Sequence, residues 1–278
     1  MLMLKKFLRD VPAVLGLLIV VIAVILALFP GLLVDNVDRV NRGDILQRLK
    51  PPSPDLPFGS DDLGRNIFDR VVMGTRSALT ISTLVVSLSM IVGVPLGLIA
   101  GYRSGWVSSA IMRVTDVFLA VPQLILAIAI AQILGRGATS AMIALAVTYW
   151  PFFTRTVYAE TQKIRASLFV EALEGYGAST TRIMLFHILP NVAAPVIVRA
   201  TVGMGFVILT AAVLGFLGVG AVPPAPDWGL QISEGRKYLP VHWWYATFPG
   251  LAILFLVLGF NLLGDGLRDL VDPRLRRS

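Results

Sequence analysis

Apolar residues in this chain come in long unbroken blocks, not in the 3.6- or 2-residue stripes of soluble helices and strands. Six blocks stand out: 11–34, 77–102, 117–135, 137–154, 200–226 and 238–264, the last two with polar ends. A bilayer core takes about 20 residues of helix. Backbone amides in lipid must be paired within their own segment. The pattern therefore predicts an all-α polytopic membrane protein with six transmembrane helices. The shortest block, 137–154, ends in Tyr149, Trp150 and Phe152, residue types that anchor at the membrane interface.

The intervals between the blocks carry the punctuation. Residues 35–76 form a long external loop. Its centre, KPPSPDLPFGS, is too rich in proline for regular helix. The following DDLGRNIFDRVVMGTR reads as a short amphipathic helix at the surface. In the second block, small residues and Pro95 favour close helix contacts and a kink. Arg113 and Asp116, three apart, read as a local ion pair. The segment 155–199 is cytoplasmic on this topology. The proline- and tryptophan-rich 222–245 is an external lid or docking surface.

Flanking charges set the orientation. Lys5, Lys6 and Arg9 precede the first block and Asp35 and Asp38 follow it, and the chain ends in the basic RDLVDPRLRRS. Lys and Arg collect on the cytoplasmic side, so both termini are expected there. The first apolar run spans 24 residues, 11–34, with no A-x-A site after it. That is longer than a signal-peptide core, so it reads as a retained helix. The expected division is 1–76 for the first helix and external loop, 77–264 for a five-helix core, and 265–278 for a cytoplasmic tail. The core includes a cytoplasmic loop at about 159–191.

Composition agrees with a membrane protein. Of 278 residues, 56% are hydrophobic and 15% charged, against about 25% charged in soluble domains. The net charge of +7 is read as loop lysine and arginine, not as a nucleic-acid surface. Cysteine is absent, which excludes thiolate chemistry. No G-x-x-x-x-G-K-[ST], H-E-x-x-H or G-x-S-x-G motif occurs. His187 and His242 fall on opposite sides of the membrane, so no metal site is expected. The span centres hold no ionisable residue to relay protons. Energy for any transport must then enter from another subunit. Gln123, Gln132 and Thr148 are the candidate polar groups along a path, and each could equally be an interhelical hydrogen bond.

One polar stretch interrupts the apolar chain: FVEALEGYGASTTRIMLFHILPN at 169–191. It reads as helix, glycine turn, helix. Gly177 ends the first helix in a left-handed conformation. Ser179 or Thr180 caps the second, whose apolar interior packs under the spans. Pro190 stops that helix or opens the next. Glu171 and Glu174 lie on one side of the first helix.

The run Glu171-Ala172-Leu173, three residues, Gly177, nine residues, then His187-Ile188-Leu189-Pro190 resembles the EAA loop of type I ABC importer permeases. FGSDDLGRNIFDRV, GVPLGLIAGYRSGW, GFLGVGAVPPAPDWG and the block 248–276 are similar to the second permease subunit of dipeptide, oligopeptide and nickel importers. Two positions depart from the general pattern: Leu173 replaces its second alanine, and His187 stands where it has isoleucine, as the peptide-importer branch often does. The resemblance implies the type I permease fold in a bacterial inner membrane, and half of a translocation path for peptides. Nickel chelates, glutathione or sugars are alternative solutes. It also implies a related second permease, two ATPase subunits that use ATP and Mg²⁺, and an extracytoplasmic binding protein. Glu171, Ala172, Leu173, Glu174, Gly177, Ile188, Leu189 and Pro190 would couple to the ATPase. No cofactor or catalytic residue is implied in this chain. An intramembrane enzyme would need a nucleophile and base facing one cavity, and the sequence offers no such pair. A non-transporting scaffold would have no reason to keep the EAA spacing.

Overall fold

The computed structural model describes residues 7–37 and 40–271. Lys5, Lys6, Asp38 and the tail 272–278, which underlie much of the orientation argument, lie outside the described residues. The described residues hold ten α-helices and no strand, only a bridge between Ser60 and Asn66. In chain order the helices are α1 (Val11–Leu28), α2 (Ile67–Tyr102), α3 (Trp106–Ala120), α4 (Gln123–Leu134) and α5 (Ala138–Arg165). Then come α6 (Leu168–Gly175), α7 (Thr180–Arg182), α8 (Leu189–Phe216), α9 (Trp228–Gly235) and α10 (Trp244–Val271). A π-helical turn, Ile183–Ile188, joins α7 to α8.

Four helical runs are long and apolar enough to cross a bilayer: Val11–Leu28, Ile67–Tyr102, Thr180–Phe216 and Trp244–Leu270. α3 and α4 make a fifth if taken together, but they are bent by 88°. The expected straight span 117–135 is therefore two helices. The break falls at Val121 and Pro122, because proline removes an amide donor and forces its predecessor out of the helical region. The expected span 137–154 is the first part of α5, which falls short of the others in apolarity. α5 does not need a fully apolar surface, because much of it is buried between neighbours. Thr148, Thr154 and Thr161 are buried. Thr154 Oγ1 donates to the Gly93 carbonyl of α2 at 3.2 Å.

The α2–α5 contact is the close approach expected from the small residues of the second block. Gly93, Gly97 and Gly101 recur every fourth residue along α2. A Cβ on any of them would come within 2.7 Å of Trp150, Phe153, Thr154, Val157 or Thr161. Hydrogen at these positions lets the backbones close up, as in small-residue interfaces within membranes. Val85, Leu145, Phe153, Val157 and Val207 fill the main core that this contact organises. A second core joins α1, α10 and α8 through Ala23, Ala27, Phe260 and Ile208.

Several boundaries differ from the sequence expectation. α2 begins at Ile67, capped by Asn66, whose Oδ1 accepts from the Phe68 amide at 3.0 Å. One helix thus runs across the 76/77 division. DDLGRNIFDRVVMGTR is not a surface helix. Its second half is the first turns of α2, and Arg65 and Arg70 are fully buried. Their charges are met by nearby Asp61 and by partners distant in sequence. Arg65 pairs with Asp61 and reaches Glu234 Oε2 at 3.4 Å. Arg70 donates to Asn41 Oδ1 at 3.1 Å and to the carbonyls of Pro224 and Ala225 at 3.2 and 3.1 Å. Tyr245 Oη lies 3.0 Å from both Asp62 Oδ1 and Glu234 Oε2.

The segment 222–245 folds onto this network. Trp228 Nε1 donates to the Val71 carbonyl at 2.9 Å and Trp244 Nε1 to the Ser60 carbonyl at 3.3 Å. Asp227 caps α9, its Oδ1 accepting from Leu230 N at 2.9 Å. Burial pushes the Asp227 carboxyl above the usual range, while the amides of Leu230 and Gly229 pull it back. The expected span 200–226 is displaced: the helix is α8, Leu189–Phe216, and Gly218 turns the chain at φ 77°. The expected span 238–264 begins only at Trp244. Asp116 does not pair with Arg113. It bonds Arg155 of α5 at 2.9 Å, because one helical turn of separation loses to a facing helix.

Candidate coupling surface and solute path

The segment 166–188 sits between the ends of α5 and α8, narrower than the expected 155–199 because both helices extend into that range. It contains α6, a glycine turn, α7 and the π turn. Eight residues are too few to hold a helix in water alone, so α6 depends on what it touches. Val170 is completely buried, and Leu173 packs against the same main core. Leu173 is therefore directed back toward the spans. Ala would leave that contact unfilled.

The end of α6 follows from one residue. Gly177 has φ 78°, which side chains with a Cβ adopt at a cost. Its amide donates to the Glu174 carbonyl at 3.0 Å, and the Ala178 amide to the Leu173 carbonyl at 3.0 Å. These two bonds are the Schellman pattern that terminates helices at a left-handed residue. Ser179 then caps α7, its Oγ accepting from Arg182 N at 3.4 Å. The apolar stretch that follows is wound as a π turn. Ile183 and Ile188 are completely buried, while Phe186 is 72% exposed. Pro190 does not stop a helix. It is the second residue of α8, directly after the π turn.

The candidate coupling residues divide into two groups. Glu171, Ala172, Gly177 and Pro190 are exposed. Leu173, Ile188 and Leu189 face the core to differing degrees. Glu174 is exposed as well but is tied down, its Oε1 accepting from Tyr102 Oη at 2.6 Å. Tyr102 is the last residue of α2, and the Arg165 guanidinium lies 5.3 Å from its ring centroid. This clamp fastens α6 to the ends of both α2 and α5. The sequence reading overlooked Tyr102. A single tyrosine at the end of an apolar block carries no signal until the fold brings it to Glu174, 72 residues away. Beside the clamp, α6 displays Leu168, 83% exposed, and Tyr176, 90% exposed.

Removing the Tyr102 hydroxyl deletes one charge-assisted bond, worth about 1.5 kcal/mol. Tyr102→Phe is expected to raise hydrogen exchange of the amides in 168–178 by roughly tenfold, leaving those of α2 unchanged. Hydrogen exchange with mass spectrometry checks this. Unchanged protection in α6 would show that the bond contributes nothing.

Of the candidate path residues, Gln123 and Thr148 meet. Gln123 Nε2 lies 3.5 Å from Thr148 Oγ1, the outer limit of a hydrogen bond. The Thr148 hydroxyl donates within its own helix, to Ala144 O at 3.0 Å. Gln132 is exposed, nine residues further along α4, about 13 Å away along the axis. The structure does not bring it to the other two. Among the described residues, no group of three or more His, Asp or Glu stands close enough to hold a metal ion.

With this geometry in view, similarity to known proteins can be stated. Residues 93–277 match the family described as "Binding-protein-dependent transport system inner membrane component". This chain belongs to that family. It is the membrane-embedded permease of an ABC importer, a system that includes an ATPase and a binding protein. It is 42% identical over 272 residues to the dipeptide transport system permease protein DppC of Alkalihalophilus pseudofirmus, covering 98% of this chain and 89% of that one. It is 40% identical over 234 residues to the probable D,D-dipeptide transport system permease protein DdpC of Escherichia coli, covering 84% and 78%. The glutathione transport system permease protein GsiD of Pectobacterium atrosepticum is 39% identical over 279 residues, covering 98% and 90%. In fold, the chain is similar to a subunit of the MetNI methionine ABC transporter in an inward-facing conformation. The TM-score is 0.61 at 18% identity, covering 73% of this chain and 97% of that one. At that identity the likeness speaks for the type I permease fold alone.

Proposed function

We propose that this permease forms half of the path of a peptide importer in a bacterial inner membrane. Both termini face the cytoplasm, and a second, related permease supplies the other half. Two ATPase subunits seat against the α6 surface. The chain itself is non-catalytic and carries no cofactor, and ATP and Mg²⁺ are handled by the ATPases. The observation that carries the solute class is the 42% identity, over 98% of the chain, to a permease named for dipeptide transport.

The chemistry of α6 suits coupling. Glu171 stands exposed in its first turn and meets no partner among the described residues, so it is available to a basic edge on an ATPase. Leu168, Phe169 and Tyr176 add exposed apolar surface on a short, clamped helix. A helix held along its length by Val170, Leu173 and the Tyr102–Glu174 bond can pass a push to α2 and α5 without melting.

The test is uptake by the complete importer in proteoliposomes, with its own binding protein outside and ATP on the ATPase side. Labelled dialanine is expected to accumulate only with ATP and the binding protein. Accumulation of glutathione alone would favour the second reading, which the 39% identity to a glutathione permease supports. Uptake of only a nickel chelate or a sugar would overturn peptide import.

A further inference from the structure

The sequence reading left the span centres free of charge because it began the fifth span at residue 200. α8 begins at Leu189 instead, within a continuous helical run from Thr180 to Phe216 that holds a stretch apolar enough to cross a bilayer. Arg199 therefore lies ten residues, about 15 Å, past the start of α8, within a helical run long and apolar enough to cross a membrane. A charge there is costly and is normally paired. Among the described residues Arg199 has no carboxylate within ion-pair distance and makes no hydrogen bond. Its Nε is buried and unpartnered. The guanidinium is held by rings instead, its Cζ 5.0 Å from the Phe152 centroid and 5.9 Å from that of Tyr149. Stacking uses the face of the group and leaves its hydrogen-bonding edge unused.

A second unsatisfied group touches the same helix. Gln123 Oε1 is buried with no donor, and its amide nitrogen reaches Thr148. Thr148 and Phe152 are one turn apart on one face of α5. Gln123 is also the first residue of α4, at the 88° break, where no side chain caps the free amides. A cation with an open edge, an unpaired amide and a broken helix thus converge on α5.

We propose that Arg199 is a carboxylate-binding point on the solute path, taking the C-terminal carboxylate of a passing peptide, with Gln123 as a second polar contact. The planar fork of a guanidinium matches a carboxylate with two parallel bonds. Stacking pre-orients that fork toward the incoming group. This assignment rests on the reading of the chain as a peptide permease and names the group that the path recognises.

The test uses the assembled importer without its binding protein, so that selection by that protein does not enter. Saturation-transfer NMR compares dialanine with its C-terminal amide. The wild-type complex is expected to favour the acid by about tenfold, the value of one charge-assisted contact. Arg199→Gln should bring the two within twofold. Arg199→Lys keeps the charge without the fork and should retain part of the preference, which preserves the test should the glutamine variant misassemble. Equal signals for acid and amide in the wild type overturn the proposal. An undiminished preference in Arg199→Gln overturns it also. ATP-driven dialanine uptake reads the peptide assignment separately. Absent uptake with the acid preference intact sinks peptide import but leaves the carboxylate point standing, and uptake without the preference does the reverse.

Discussion

Arg70→Met is expected to destabilise the purified permease by about 3–5 kcal/mol, the effect of breaking a buried ionic network by removing one member. Arg70 is fully buried and serves three acceptors from two distant loops, Asn41 Oδ1 and the carbonyls of Pro224 and Ala225. Its Nε also lies 3.6 Å from Asp61 Oδ2. Methionine fills similar space but leaves all these oxygens without a donor, and Asp61 with one cation in place of two. Each orphaned acceptor adds its own desolvation cost. The melting midpoint in detergent should fall by on the order of 10 °C. Arg70→Lys should fall between, since an ammonium keeps the charge but cannot span both loops with a fork. The wild-type midpoint in Arg70→Met would mean that the network is dispensable and that water satisfies the loops.

The largest functional loss is expected from Glu171→Lys combined with Gly177→Val, with little effect on stability. Beyond its two chain neighbours, no atom of the described residues lies within 4 Å of a Cβ built at Gly177, so valine meets no tertiary clash. Its cost is conformational, because a β-branched residue at φ 78° is strained by at least about 1–2 kcal/mol. That strain shifts the turn that aims α6. Glu171→Lys reverses the exposed charge on the same helix. ATP-driven uptake in proteoliposomes is expected to drop by at least about tenfold while the complex still purifies intact. Gly177→Asn serves as the control, because asparagine tolerates the left-handed region and should retain most of the uptake. Normal uptake by the double variant would remove α6 from the coupling role.

The two predictions also mark what was legible in the chain. The helix, turn and cap around Gly177 were readable because they depend on neighbours within about six residues. A glycine followed two residues later by a capping serine leaves few local alternatives. Arg65 and Arg70 were misread for the opposite reason. Their spacing suggested a solvated helix, and their partners Glu234, Pro224 and Ala225 lie more than 150 residues downstream. No local pattern reports such a pairing. Arg199 shows the intermediate case. Its charge suggested the end of a span, whereas Phe152 and Tyr149 hold that charge inside one.

By itself, then, the sequence determined that this is a helical membrane protein and where the EAA-like turn lies. Long apolar blocks leave the backbone no other way to satisfy its amides in lipid, and a tight turn is a matter of a few torsions. Tertiary structure alone decided which way Leu173 faces, that Tyr102 holds Glu174, and that two arginines are sealed into a network between distant loops. It also decided that a third arginine stands unpaired among aromatic rings. Each of those facts depends on side chains brought together across tens to hundreds of residues, where only packing selects the neighbour.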